Sequence, residues 1–181
     1  MDRISFIVPS VPISQPRQRQ RIIKQKDGKV FATNYTPAKH PVQQFKAVIQ
    51  MALREVYDGP PWDCPIGMNL SFVMPRPSSK TWKTKAMPRE WYSAKKNDWD
   101  NLGKAVCDAL NGLLYQDDGL ICSVTVKRVI ASGDEQPSCY VEAFKLPPYE
   151  DADYEERHEQ TTDSSQPPTE SNDRDTLRRS T

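Results

Sequence analysis

The sequence of 181 residues lacks the features that identify membrane, secreted and zinc-binding proteins. No apolar run approaches the roughly 18 residues that span a bilayer, and no apolar segment follows a basic N-terminus. Two histidines supply little histidine-based metal or nucleophile chemistry. The four cysteines lie far apart without a CxxC spacing, which favours reduced, mostly buried thiols over a zinc site or a disulfide framework. We therefore expect a cytoplasmic protein with one folded domain and no membrane segment.

The net charge of +1 averages two unlike segments. Residues 147–181 contain ten acidic residues and four arginines among many Pro, Ser, Thr and Gln residues, which is typical of a disordered acidic tail. Residues 1–146 hold 21 Lys/Arg and 14 Asp/Glu. A folded domain with this basic surplus favours a polyanionic partner. The predicted organisation is a domain at 1–146 followed by a tail at 147–181.

The apolar pattern of residues 1–146 predicts an α+β fold, with a small mixed β-sheet packed against two main helices. Strands are predicted at residues 4–13, 68–75, 121–130 and 139–146. Pro9 and Pro12 make the first of these an edge strand or end it early. The basic segment 14–31 contains the turn signal Asp27-Gly28, which predicts a hairpin. Residues 41–57 have apolar side chains at helical spacing.

A second helix is predicted to begin at Asp100 and to end at Asn111-Gly112. Its apolar side faces the core and contains Leu102, Ala105, Val106, Ala109, Leu110 and Leu113. The opposite side, an arc of roughly 80°, carries Asp100, Lys104, Asp108 and Asn111. The following "YQDDGL" turns the chain into a strand, and we expect this turn to return Asp117 and Asp118 toward the acidic start of the helix.

Five of the fourteen acidic residues of the domain fall between Asp98 and Asp118. If these carboxylates meet, they form an oxygen-rich site that suits Mg²⁺, and the ion relieves their mutual repulsion. Such an ion can activate water against a phosphodiester, while Lys104 neutralises the developing charge. The alternatives are a helix cap at Asp100 or Asn101, an ordinary Lys104–Asp108 surface pair, and a simple turn at 117–119.

Residues 76–96 combine cations with aromatic rings. Seven basic residues accompany a single acid, Glu90, and Trp82, Trp91 and Tyr92 lie between them. Cations that meet phosphates and rings that stack on exposed bases suit single-stranded or distorted DNA. The alternative is a solvated loop whose tryptophans pack on the sheet.

The stretch "NDWDNLGKAVCDALNGLLYQDDGLI", residues 97–121, closely resembles the signature of the RusA family of Holliday junction resolvases. The shared elements are an Asp-x-Asp-Asn group, a lysine four residues after its second Asp, a "DALNG" segment and a later Asp-Asp. "QPRQR" and "YTPAKH" are similar to the family's Pro-Arg-rich and Tyr-Thr-Pro elements. The resemblance covers about residues 4–146. Asn97 stands where the family commonly has proline, and Trp99 where it usually has an aliphatic residue.

The resemblance implies an α+β homodimer, bacterial or phage-encoded, that cuts four-way DNA junctions with Mg²⁺ or Mn²⁺ by two symmetric nicks. Carried over by position, Asp98, Asp100 and Asp118 are the metal-binding catalytic carboxylates, Asp117 beside them is a further candidate metal ligand, and Lys104 is the essential lysine. Candidate DNA contacts are Arg17, Arg19, Arg21, Lys83, Lys85, Lys95 and Lys96. A branched-DNA-binding protein without catalysis and a nuclease for other branched or flap DNA remain the alternatives.

Overall fold

The structure, a computed structural model, describes residues 2–16, 19–24, 30–35, 39–94 and 96–149, with backbone alone at 19–24 and 32–35. Contacts divide the chain into a unit of residues Met1–Pro147 and a unit of residues Pro148–Thr181. The predicted acidic tail lies almost wholly outside the described residues, so its disorder stays a prediction. No helix in the described part of the chain is long and apolar enough to cross a bilayer.

Seven strands form two sheets. The strands are β1 Arg3–Val8, β2 Arg19–Lys24, β3 Val30–Tyr35, β4 Ile66–Met74, β5 Glu90–Trp91, β6 Ile121–Ile130 and β7 Ser138–Lys145. The main sheet has the order β1-β7-β4-β6-β5, and β2 pairs with β3 in a separate hairpin. Within the main sheet β4 and β6 are parallel and the other pairs are antiparallel.

The two helices, α1 Val42–Val56 and α2 Trp99–Leu110, supply the other half of one core. α1 buries Val42, Phe45, Ile49, Ala52 and Leu53. α2 buries Leu102, Gly103, Ala105, Val106, Ala109 and Leu110. Alternate sheet residues such as Phe6, Leu70 and Val141 are buried against them. The intervening residues, such as Ser5 and Thr125, stay exposed, so one face of the sheet carries the helices and the other faces solvent.

The predicted mixed sheet with two helices is confirmed. β1 ends at Val8, directly before Pro9, and the basic hairpin forms with its turn residues outside the described residues. The two-residue strand β5 was not predicted, because it is too short to show a period. All four cysteines are free: Cys139 is buried, Cys64 and Cys107 are partly buried against the core, and Cys122 is exposed, so the prediction of mostly buried thiols holds for three of the four.

Arg76 fastens the long connection between β4 and β5. Its side chain is only 5% exposed. The guanidinium donates to the backbone oxygens of Ala131 at 2.8 Å and Lys80 at 3.3 Å, and to that of Pro88. It also binds the Glu90 carboxylate at 3.0 Å, which Lys80 reaches at 2.6 Å. Two of the seven cations of residues 76–96 therefore hold this connection together, and the nearly buried Arg76 is not available to DNA.

We expect Arg76→Lys to lower the free energy of unfolding by about 2 kcal/mol, because a single ammonium cannot satisfy the backbone oxygens that the guanidinium reaches. The matched control is Arg89→Lys, since Arg89 is 58% exposed and pairs with Glu135 at the surface. Its cost should stay below about 1 kcal/mol. Urea denaturation of both variants measures the difference, and equal costs would contradict the structural role of Arg76.

Candidate active site

Asp98, Asp100 and Lys104 lie at the N-terminal end of α2. Asp98 is the residue before the first helical turn, and its side chain makes no capping hydrogen bond. Asp100 lies in the first turn and Lys104 one turn later, and all three side chains are exposed. Neither Asp100 nor Asn101 is the N-cap, so the capping alternative is wrong. Carboxylates at this end of a helix are stabilised by the helix dipole, and here they face solvent.

Asn97 anchors this acidic end to the sheet. It has a left-handed backbone with φ 57°, which asparagine tolerates and proline cannot adopt. Its backbone oxygen accepts a hydrogen bond from Arg128 of β6 at 2.8 Å. Its side-chain oxygen accepts from the hydroxyl of Ser14 at 3.0 Å. Asn97 therefore gives the turn into α2 a backbone conformation that a proline at this position could not adopt.

The segment after β1 also binds the start of α2. The backbone N–H of Gln15 donates to the backbone oxygen of Asn101 at 2.8 Å. The side-chain oxygen Oε1 of Gln15 is buried and has no hydrogen-bond partner among the described residues. The sequence showed that this segment is rich in proline and arginine, but nothing in it indicated contact with the acidic helix.

The predicted DNA contacts are only partly described. Arg17 and Lys95 lie outside the described residues. Arg19 and Arg21 lie in β2, whose side chains are not described. Lys83, Lys85 and Lys96 are exposed. The neighbouring rings differ in exposure: Trp82 is 42% and Trp91 73% exposed, whereas Tyr92 packs against the core.

Asp117 and Asp118 lie in a turn that is held from two sides. The buried Tyr115 donates its hydroxyl to the backbone oxygen of Cys107 in α2 at 2.8 Å. The backbone N–H of Trp62 donates to the backbone oxygen of Leu114 at 2.8 Å, and the backbone oxygen of Trp62 accepts from the N–H of Gln116 at 3.0 Å. These bonds fix the position of the turn between α2 and β6 that carries Asp117 and Asp118.

The side chains of Asp117 and Asp118 differ in their hydrogen bonding within the turn. The Asp117 side chain accepts a hydrogen bond from the backbone N–H of Gly119 at 2.8 Å, so the turn alternative holds for this residue. Asp118 begins a 3-10 turn, Asp118–Leu120, and its side chain is exposed. Asp118 is therefore the better placed of the two to meet a ligand.

Asp118 lies beside the last turn of α2. Burial raises the pKa of the Cys107 thiol to about 11, and the nearby charges of Asp108 and Asp118 add to this shift. Burial likewise raises the pKa of Tyr115, with the same two carboxylates contributing. Asp108 is bound by Lys46 of α1 at 2.9 Å, so the alternative of a surface pair between Lys104 and Asp108 is wrong.

The two acidic groups thus lie at opposite ends of β6. Asn97, next to Asp98, is bonded to Arg128, whereas Asp118 lies three residues ahead of Ile121. Seven strand residues span about 23 Å. No group of three His, Cys, Asp or Glu side chains that could hold a metal ion occurs within the described ranges. The expected return of Asp117 and Asp118 to the start of α2 therefore does not occur within one chain.

One family model matches a stretch of the chain that includes Asp98 and Asp100 as well as Asp117 and Asp118. Residues 9–142 match the family model described as Endodeoxyribonuclease RusA. The chain is also 31% identical over 134 residues to "Uncharacterized protein YqaN" of Bacillus subtilis (strain 168). That alignment covers 71% of this chain and 88% of the relative.

Tyr115→Phe tests how the second acidic turn is held. We expect the free energy of unfolding to fall by about 1 to 2 kcal/mol, because the buried backbone oxygen of Cys107 loses its side-chain donor. Tyr149→Phe is the control, since Tyr149 is 89% exposed. Denaturation curves for both variants provide the measurement, and an unchanged midpoint for Tyr115→Phe would show that the hydrogen bond contributes nothing.

Proposed function

The chain belongs to the RusA family of Holliday junction resolvases, and from this premise we propose that it is a metal-dependent endodeoxyribonuclease for four-way DNA junctions. It makes paired symmetric nicks with Mg²⁺ or Mn²⁺, in DNA recombination and repair, in the cytoplasm of a bacterium or a phage-infected cell. The observation that carries the proposal is the exposure of Asp98, Asp100 and Asp118, three carboxylates of the family signature, at the two ends of β6.

The donor set fits a hard divalent cation. Carboxylate oxygens are the protein ligands that Mg²⁺ prefers, and two or three suffice beside water and a substrate phosphate. Asp98, Asp100 and Asp118 would hold the ion, and Asp117, whose side chain already accepts from Gly119, would support Asp118. When bound, the ion lowers the pKa of a coordinated water and stabilises charge on the phosphodiester.

Lys104 acts on the phosphate. It lies four residues after Asp100 on the same side of α2, so the two side chains are neighbours on the helix surface. Its exposed ammonium binds a non-bridging oxygen of the phosphate to be cut, which neutralises part of the charge that develops during attack by water.

The enzyme acts as a homodimer with composite sites. A single chain holds Asp98 and Asp100 at one end of β6 and Asp118 at the other, so its acids cannot share one ion. A partner that runs the opposite way supplies the missing acid, so that Asp98 and Asp100 of one chain meet Asp118 of the partner subunit. Two-fold symmetry then produces two equal sites, as two symmetric nicks in one junction require.

Basic residues of the folded domain hold the DNA backbone. Arg17, Arg19, Arg21 and Lys95 are assigned to phosphate contacts on charge alone, and Lys83, Lys85 and Lys96 also on their exposure. Arg76 is excluded, because its nearly buried guanidinium already binds Glu90 and backbone oxygens of its own chain. Phosphate contacts of this kind provide affinity without sequence preference.

The second candidate function is a branched-DNA-binding protein without catalysis. It is favoured by the separation of the acidic groups within one chain and by the lack of a three-ligand cluster in the part of the chain that the structure describes. A nuclease for flaps or other branches would use the same residues. Cleavage assays with junction, flap and duplex DNA separate the three.

We expect Asp100→Asn to lower the rate of junction cleavage with Mg²⁺ by more than about 100-fold while leaving junction affinity nearly unchanged, because the substitution removes a metal ligand and little of the DNA surface. Asp58→Asn, an exposed substitution between α1 and β4, is the matched control and should cut normally. Gel assays of cleavage and binding measure both quantities. Wild-type binding without cleavage under any divalent ion would favour the second candidate function.

Mixing two inactive variants tests the composite sites. A dimer of one Asp100→Asn chain and one Asp118→Asn chain keeps one intact site, because the two substitutions fall in the other site. We expect this mixed dimer, isolated with two different tags, to regain nicking without paired cuts. A mixture of Asp98→Asn with Asp100→Asn should stay inactive, because each site then lacks one acid. No recovery in the first mixture would mean that the acids act within one chain.

A further inference from the structure

The main sheet carries both helices on one face, and its other face, here called the open face, is exposed to solvent. Leu70 and Phe72 of β4 are buried beneath the helices, so Ser71 between them points to the open face. Ser71 lies opposite Tyr140 of β7 on one side and Lys127 of β6 on the other. Because opposite residues of paired strands point to the same side of a sheet, these three side chains form a row across the open face.

Two aromatic rings of the open face lie on either side of an exposed cation. Trp91 of β5 is opposite Val129, which follows Lys127 by two residues and therefore shares its face. Trp91 is 73% and Tyr140 38% exposed, and Lys127 is exposed between them. Three strand spacings and one step along the strands separate the two rings, which amounts to about 16 Å. The open face thus carries the order ring, cation, ring.

A hollow of about 300 Å³ lies in the open face beside this row. It exists because the central strands carry short side chains here. Hydroxyl and amide groups line it together with longer side chains, and its lining includes Asn69, Ser71, Thr125, Lys127, Tyr140 and Glu142. The volume is at the lower end of the range of ligand pockets, which suits one nucleobase and its sugar. The polar groups can bond to the edge of a base, while the Tyr140 ring can contact its flat side.

The hollow suits an anionic ligand despite its one carboxylate. Glu142 is bound by Arg3 at 2.7 Å and by the amide of Asn69 at 2.6 Å, and its side chain is only 13% exposed. Arg3 is 54% exposed and compensates this negative charge. The exposed ammonium of Lys127 therefore sets the sign of the charge that a ligand meets at the hollow.

The alternation of rings and a cation matches the alternation of bases and phosphates in a single strand of DNA. A duplex stacks its bases on one another, so their flat sides are not accessible to protein rings. A single strand leaves them accessible, and stacking on aromatic side chains is a main source of affinity for such strands. Successive phosphates of one strand are about 3.4 Å apart along a duplex axis, so a short run of nucleotides bridges the two rings.

We propose that the open face binds single-stranded DNA, with one base on Tyr140 at the hollow, another on Trp91, and a phosphate between them on Lys127. This site needs no metal ion, and it lies on the opposite face of the sheet from α2. It therefore goes beyond the proposed nuclease activity. On branched DNA it holds an unpaired strand that leaves the branch point.

The first experiment removes each ring and keeps an apolar side chain. Tyr140→Leu and Trp91→Leu should each weaken the binding of a fluorescein-labelled oligothymidine of about 12 nucleotides by at least about 5-fold, because each loses a base–ring stack. Tyr140→Phe and Trp91→Phe retain a ring and should retain most of the affinity. Tyr149→Leu is the control, since Tyr149 is 89% exposed and lies beyond the last strand. Fluorescence anisotropy in EDTA measures the dissociation constants, and circular dichroism checks that each variant is folded.

A duplex of the same length serves as the second ligand in these titrations. Its bases are stacked internally, so the leucine variants should bind it as tightly as wild type does. An equal loss of affinity for the duplex and for the oligothymidine would overturn the inference, because the rings would then contribute no stacking on bases.

The second experiment tests the phosphate contact. Lys127→Ala should lower the slope of log affinity for the oligothymidine against log salt concentration by about 0.7, the value for one phosphate contact with a single strand. Arg54→Ala is the matched control, since Arg54 is an exposed cation in the last turn of α1, on the other face. An unchanged slope for Lys127→Ala would overturn the contact.

The remaining outcomes separate this site from other uses of the open face and from catalysis. Wild-type affinity of both leucine variants, or no binding of oligothymidine by wild type, would overturn the inference. A change of oligomeric state in the leucine variants, seen by light scattering together with unchanged DNA affinity, would overturn it in favour of a second copy of the chain. Ring-dependent binding in EDTA, together with no cleavage of any branched DNA, would uphold this site and reject the nuclease.

Discussion

The hydrogen bond from Arg128 to the backbone oxygen of Asn97 ties the start of the acidic helix to the sheet. Arg128 belongs to β6 and is also held by Tyr92, whose ring lies 5.5 Å from its guanidinium carbon. Asp98 follows Asn97 directly, so the start of α2 is fixed to one end of β6. Asp118 lies at the other end of the same strand, three residues before its first residue, Ile121. One strand thus sets the distance between the two halves of the proposed catalytic site.

The fold was largely predictable because the core elements have regular apolar periods. α2 shows this best: its buried residues, such as Leu102 and Val106, and its exposed residues, such as Asp100 and Lys104, lie on the sides that the spacing predicted. β5 could not be found, because two residues have no period. The ion pairs that Arg76 and Lys80 form with Glu90 could not be predicted either. A count of cations does not distinguish a DNA contact from an ion pair within the chain.

The candidate site was predictable in composition and not in geometry. The spacing of Asp98, Asp100 and Lys104 is local, and a helix turns such spacing directly into a surface pattern. The position of Asp118 depends instead on how the chain returns after α2. Tyr115 bonds to Cys107, only 8 residues earlier, and holds that turn at the far end of the helix. The bonds of Trp62 to Leu114 and Gln116 join the same segment to the loop before β4, which is distant in sequence. A pattern of residues does not specify such contacts.

Trp62 has a consequence for how this fold tolerates changes in chain length. The connection between α1 and β4 is a surface loop, the kind of place where proteins commonly accept insertions. Here its backbone binds Leu114 and Gln116, and the indole packs edge-on against Tyr57 at 6.1 Å. An added or deleted residue beside Trp62 would shift the segment that carries Asp117 and Asp118. Tags and inserted domains should therefore be kept out of the loop at Trp62.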